Sequence, residues 1–145
     1  MKIGISSCLL GNNVRYDGSN KKDDRLIKLL ENHELIPICP EMMAGFDIPH
    51  DPLEIRDNHV YTIKGIDVSD KLINGSNKCF ELIKDCDFLV LKSKSPSCGY
   101  KKIYDGSFEG LLIDGNGIFT SICLNNNLKI FTENDYQEIK EYISQ

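Results

Sequence analysis

The chain has 145 residues, 41% of them apolar and 27% charged, and a formal net charge of −5. That length suits one domain, residues 1–145, with helices on a sheet around one core, and no apolar run approaches the roughly 20 residues of a membrane span. The acidic balance disfavours a nucleic-acid polymer or an anionic membrane as the main partner.

Met1-Lys2-Ile3-Gly4-Ile5-Ser6 runs straight into a strand pattern with no signal-peptide core or cleavage site, so a cytoplasmic protein is expected. Ser7-Cys8-Leu9-Leu10-Gly11 follows at once, then the turn group Arg15-Tyr16-Asp17-Gly18. From Asp23 to Asn32, Leu26, Ile27, Leu29 and Leu30 fall on one helical face, with Asp23 or Asp24 as N-cap. Leu35 to Cys39 predicts a second strand, entering Pro40-Glu41-Met42-Met43. The stretch from Phe46 to Arg56 is rich in proline and turn residues and is expected to be irregular. Val60–Ile63 and Ile66–Val68, around Lys64-Gly65, predict a small hairpin. Ser69 is expected to cap a helix reaching Lys84, with Leu72, Ile73, Phe80 and Ile83 inward and Gly75 discordant.

Phe88-Leu89-Val90-Leu91 reads as a buried strand emptying into Lys92-Ser93-Lys94-Ser95-Pro96-Ser97-Cys98-Gly99. Pro96 cannot donate to a ladder and Gly99 is free of the usual backbone limits, so this loop is built to hold side chains more than to stabilise a fold. Lys92, Lys94, Lys101 and Lys102 make a local basic cluster, suited to steering a small anionic or polar ligand or simply to solvation. Ile103-Tyr104-Asp105-Gly106-Ser107-Phe108 comes next, then Leu111–Ile113 as a short strand or bend. A helix is expected from Gly115-Asn116-Gly117 to Asn126 with Ile122 and Cys123 in the core, then a strand Leu128–Phe131. Thr132 is expected to cap a last helix that buries Tyr136, Ile139, Tyr142 and Ile143.

Strands alternating with helices predict an α/β fold: three layers, a mostly parallel sheet flanked by helices, Rossmann-like, with a small hairpin insertion. Ligands of such sheets bind beyond the carboxyl ends of the strands. Cys8, Cys39 and Cys98 all lie at or just after such an end. If the first strand lies between the other two, a strand spacing of about 4.8 Å brings the three thiols together across roughly 10 Å. Converging thiolates suit zinc or an iron-sulfur cluster, whereas unrelated buried cysteines are the plainer alternative. Cys79, Cys86 and Cys123 are assigned to packing. No Cys-x-x-Cys pair, P-loop, dinucleotide fingerprint or Gly-x-Ser-x-Gly elbow occurs. His33, His50 and His59 read as surface residues, though a nucleophilic pair of Cys98 with His50 is conceivable.

Ser7-Cys8-Leu9-Leu10-Gly11 with Arg15-Tyr16-Asp17-Gly18, Cys39-Pro40-Glu41, Lys94-Ser95-Pro96-Ser97-Cys98-Gly99 and Tyr104-Asp105-Gly106-Ser107-Phe108 together resemble a bacterial domain family, formerly of unknown function, whose characterised members are thiouracil desulfidases. The resemblance covers nearly the whole chain. It implies a 4Fe-4S cluster held by Cys8, Cys39 and Cys98 with one open iron, acting on a small thiolated substrate whose thiocarbonyl sulfur is replaced by oxygen from water. A carboxylate must then take the water's proton, and Glu41 is the candidate. Ser95 or Ser97 would hydrogen-bond the substrate or the water, and Ser7, Tyr16, Asp17, Tyr104 and Asp105 would shape the pocket or brace its loops. The family usually shows Arg after the Pro of the next segment, where this chain has Pro49-His50. The alternatives are a non-enzymatic iron-sulfur or zinc module, as sensor or carrier, and a zinc hydrolase using the same thiols.

Overall fold

Four strands, β1 (Lys2–Ser6), β2 (Glu34–Ile38), β5 (Phe88–Leu91) and β8 (Ile130–Thr132), form a sheet in the computed structural model, which describes residues 1–145. The order is β2-β1-β5-β8 and every pairing is parallel. β5 shows why its sequence is apolar throughout: both faces are covered. Phe88 and Val90 join Ile3 and Ile5 against Leu26, Leu30 and Ile139, contributed by helices α1 (Asp24–Leu30) and α5 (Tyr136–Ile143). Leu89 and Leu91 point the other way, onto Cys79, Ile83, Phe119 and Cys123 of α3 (Ser69–Ile83) and α4 (Ile118–Asn125). The result is the predicted three-layer α/β arrangement, with Cys79, Cys86 and Cys123 buried in it. None of the helices is long and apolar enough to cross a membrane.

Departures from the expected elements have local causes. The Phe46–Arg56 stretch is not irregular throughout: Leu53–Arg56 is strand β3, antiparallel to β4 (His59–Thr62) across a turn at Asp57 and Asn58, both at positive φ. The predicted second arm, Ile66–Val68, makes only a single bridge, Tyr61 to Asp67. Leu53, Ile55 and Val60 carry the apolar face of this hairpin into a third core cluster, while Ile63 and Ile66 stay exposed. Ser69 does not cap α3, because its Oγ accepts from Val60 N–H and donates to Asp67. Ile73 is exposed and Ile122 only half-buried. The N-cap position of α5 is Asp135, whose carboxylate accepts from Thr132 N–H. A second hairpin, β6 (Lys102–Tyr104) with β7 (Leu112–Asp114), follows the central loop.

Candidate active site

A parallel sheet ends all its strands on one side, and here the loops after β1, β2 and β5 enclose a cavity of about 500 Å³. Cys8 follows β1 in a short 3-10 turn (Ser7–Leu10), Cys39 follows β2, and Cys98 lies in the loop beyond β5; all three line the cavity. Because β1 sits between β2 and β5, residues far apart in sequence emerge from adjacent strands.

Close approaches of backbone hold two walls of this cavity. Cys39 precedes a single helical turn, α2 (Pro40–Met43), which carries Glu41. α3 presses on it at Gly75, where a Cβ would come within 2.5 Å of Ala44 Cβ and Pro40 O, which accounts for a glycine in mid-helix. The Ser95–Cys98 turn is held by the start of α4. Ile118 N–H donates to Pro96 O at 3.0 Å and Phe119 N–H to Ser97 O at 2.9 Å, using amides that a helix N-terminus leaves free. A Cβ on Gly117 would meet Ser97 C and O at 2.5 Å.

The thiols are held neutral by their surroundings. Burial pushes Cys39 up to about 11 and Cys98 well above the ordinary thiol value, despite hydrogen bonding from Ser6 and Ser97. Cys8 is raised by burial too, with Lys92 and Arg15 pulling it back.

Around them run two polar networks. In the first, Ser97 Oγ donates to Glu41 Oε2 at 3.1 Å and lies 2.9 Å from Ser95 Oγ. Ser95 Oγ also accepts the N–H groups of Ser97 and Cys98, at 3.1 and 2.8 Å, and so closes the turn. In the second, Lys92 Nζ pairs with Glu133 Oε2 at 3.0 Å, and Ser93 donates its N–H and its hydroxyl to the two Glu133 oxygens, both at 2.8 Å.

Ser7, Tyr16, Glu41, Ser95, Ser97 and Tyr104 line the cavity together with the three cysteines. Ser7 Oγ accepts from the Asn12 side chain at 2.8 Å. Asp17 and Asp105 do not line it. Each closes a turn by accepting the N–H and hydroxyl of a serine two residues on, Ser19 or Ser107. The tetrad Tyr-Asp-Gly-Ser occurs at 16–19 and again at 104–107, and both times the tyrosine lines the cavity while the aspartate makes the turn. Of the basic cluster, Lys92 and Lys94 reach the cavity; Lys101 and Lys102 do not, and Lys102 is paired with Asp114.

His50 is not a surface residue. Its side chain is 10% exposed and faces Glu41 Oε1, not Cys98. Arg15 and Glu54 also line the cavity, unflagged by the sequence reading. Arg15 stands inside a quoted motif, whereas Glu54, which accepts the N–H groups of Gly106 and Phe108, has no signal near it.

A family model described as 2-thiouracil desulfurase matches residues 3–135. The chain is 31% identical to the uncharacterized protein YbbK of Bacillus subtilis (strain 168), over 94% of this chain and 99% of that protein. Among solved structures, it is similar to the 4Fe-4S-dependent thiouracil desulfidase TudS, with a TM-score of 0.90, 35% identity, and coverage of 99% of this chain and 97% of that one.

Proposed function

Because the chain belongs to the 2-thiouracil desulfurase family, we propose that it removes sulfur from a small thiouracil-like thiocarbonyl compound, using a 4Fe-4S cluster held by Cys8, Cys39 and Cys98. The observation that carries the reading is the gathering of those three thiols with the Glu41–Ser97 pair in one cavity. Six free cysteines suit the reducing cytoplasm as its place of action.

The donor set fits the cluster. Three soft sulfurs, two buried and that of Cys39 half-buried, all with raised proton affinity, need strong positive charge to ionise, and they shed protons on taking it up. Three thiols on the wall of one cavity of about 500 Å³ leave room for a polynuclear group. Lys92, near Cys8, offsets some of the negative charge that three thiolates bring.

When bound, such a cluster with three protein ligands supplies an open iron, a Lewis acid with affinity for thiocarbonyl sulfur. The protein's own part is proton handling and orientation. Glu41 takes a proton from water as the water oxygen bonds to the thiocarbonyl carbon, the carbon–sulfur bond breaks, and sulfur leaves as hydrosulfide with the second proton. Ser97, donating to Oε2, keeps that carboxylate turned toward the cavity. Tyr16 and Tyr104, both lining the cavity, supply aromatic surface for a flat heterocycle.

Anoxic reconstitution tests the proposal. We expect a brown protein with bound iron and acid-labile sulfide that releases sulfide from thiouracil or a relative, and a Cys98→Ser variant that loses both properties. A fully loaded cluster with no turnover of any thiocarbonyl compound would overturn the enzymatic reading in favour of a sensor or carrier.

A further inference from the structure

His50 has no part in the chemistry so far, yet it is held with unusual care. Its ring lies near Tyr16 and Phe46, with centroids 6.3 and 5.1 Å away, and its backbone N–H donates to Tyr16 O at 2.7 Å. Nδ1 stands 2.7 Å from the carbonyl oxygen of Asp51. A carbonyl can only accept, so Nδ1 carries a hydrogen. Nε2 is buried, makes no well-aligned hydrogen bond, and faces Glu41 Oε1 at 3.3 Å. In the neutral ring that tautomer would leave a lone pair on Nε2 opposed to a carboxylate oxygen, an unfavourable pairing away from water. A second hydrogen turns the opposition into an ion pair.

We propose that His50 is a positioning residue for Glu41: as an imidazolium it donates from Nδ1 to Asp51 O and from Nε2 toward Glu41 Oε1, holding the carboxylate so that Oε2 stays on Ser97. The proposal rests on the reading of Glu41 as the base in desulfuration. The titratable groups facing the ring are Glu41 from α2, Tyr16 from the loop after β1, and Asp51 beside it, whose carboxylate is itself 3.3 Å from Lys64 Nζ. The Glu41 carboxylate oxygen facing Nε2 raises His50 above the ordinary imidazole value; burial opposes this, and the Asp51 carbonyl and the two carboxylate charges add to it. The clamp therefore outlasts the pH at which an ordinary imidazole loses its proton and lets go as pH rises through the raised value.

Ring-nitrogen NMR on the full, folded, metal-free chain tests the protonation directly. Both nitrogens are expected to keep hydrogen beyond the pH at which an ordinary imidazole, of pKa about 6.5, loses one, with Nδ1–H remaining in base, and Glu41→Gln should lower the titration midpoint. A ring that titrates normally and keeps Nε2–H in base overturns the proposal. In the reconstituted enzyme, His50→Gln offers Glu41 an uncharged donor, so it should keep most of kcat and lose the alkaline fall in rate. His50→Phe fills the space without a donor and should lower kcat by up to about a hundredfold, the penalty for displacing a reacting group by an ångström, with KM little changed. Full activity in His50→Phe also overturns the proposal. Absence of turnover by loaded wild-type chain, with the ring doubly protonated, would instead sink the desulfidase reading and leave the clamp standing.

Discussion

Glu41 and Glu133 follow β2 and β8, the two edge strands, so the site has a carboxylate on either flank. Their side chains are almost equally buried, 17% and 14% exposed, so burial does not tell them apart. Their partners do. Glu133 receives two hydrogen bonds, from Ser93 N–H and Ser93 Oγ, both at 2.8 Å, and an ion pair from Lys92 Nζ at 3.0 Å. Glu41 receives one, from Ser97 Oγ, and has His50 off-axis on its other oxygen. A carboxylate whose lone pairs are taken is a strut, fixing the Lys92–Ser93 corner of the cavity. One with a lone pair to spare beside a cavity can accept a proton.

Replacing each carboxylate by its amide turns that contrast into numbers. Glu41→Gln should cut sulfide release by about 10²- to 10⁴-fold, the usual worth of a general base. Its stability should fall by only about 1 kcal/mol, the net worth of a hydrogen bond or so, because the His50 ring can shed its charge by giving up a proton once the carboxylate is gone. Glu133→Gln should do the reverse, lowering stability by about 3 kcal/mol in urea titrations by stranding Lys92 without its counter-charge. Acid sharpens the second half. Burial pushes the Glu133 carboxyl up, but the Ser93 N–H and the Lys92 charge outweigh it and hold it below its ordinary 4.5. A group depressed on folding stabilises the chain above its unfolded value and ceases to do so as pH falls through the folded one. The advantage of wild type over Glu133→Gln should therefore be full at neutral pH and fade below about pH 4.5. An acid-independent gap would mean that Glu133 acts through shape alone.

The same pair shows how far a sequence can be read. The three thiols were legible because strand ends are, and alternating apolar runs mark strands without any knowledge of what they hold. Glu41 came with Cys39 by adjacency. Glu133 follows Thr132 at the end of the last strand and meets the same criterion, but without a cysteine beside it there was no reason to stop there. His50 was legible only as the residue standing where the resembled family usually has Arg, not as a partner of Glu41. The segment from Phe46 to Pro52 has no periodicity, and the histidine's meaning comes from a contact with α2 across the fold. Tyr16, Asp17, Tyr104 and Asp105 were expected to shape the pocket or brace its loops, and the fold divides those roles between them. Motif matching takes the four residues as a unit, while in space the tyrosines face the cavity and the aspartates are spent on their own turns. The β3–β4 hairpin was misplaced because Ile63 and Ile66 supply an apolar pattern that the fold leaves in solvent.

The smallest effect lies between neighbours on the Glu41 flank, where the sequence offers Ser95 or Ser97 without choosing between them. Ser97 Oγ donates to Glu41, so the hydrogen between the two hydroxyls comes from Ser95, giving a one-way chain from Ser95 through Ser97 to the carboxylate. Ser95 is the one whose oxygen also holds two amides of the turn. Ser95→Ala should therefore lose about 1 kcal/mol of stability, the net worth of a hydrogen bond or so, with kcat reduced less than about tenfold. Ser97→Ala should leave stability nearly unchanged and lower kcat more, since it frees Glu41 Oε2 from its only well-formed partner. Thermal denaturation and sulfide release measured on the same two preparations separate the cases. An inactive but fully stable Ser95→Ala protein would reverse the direction of the chain, making Ser97 the brace and Ser95 the group that meets the substrate.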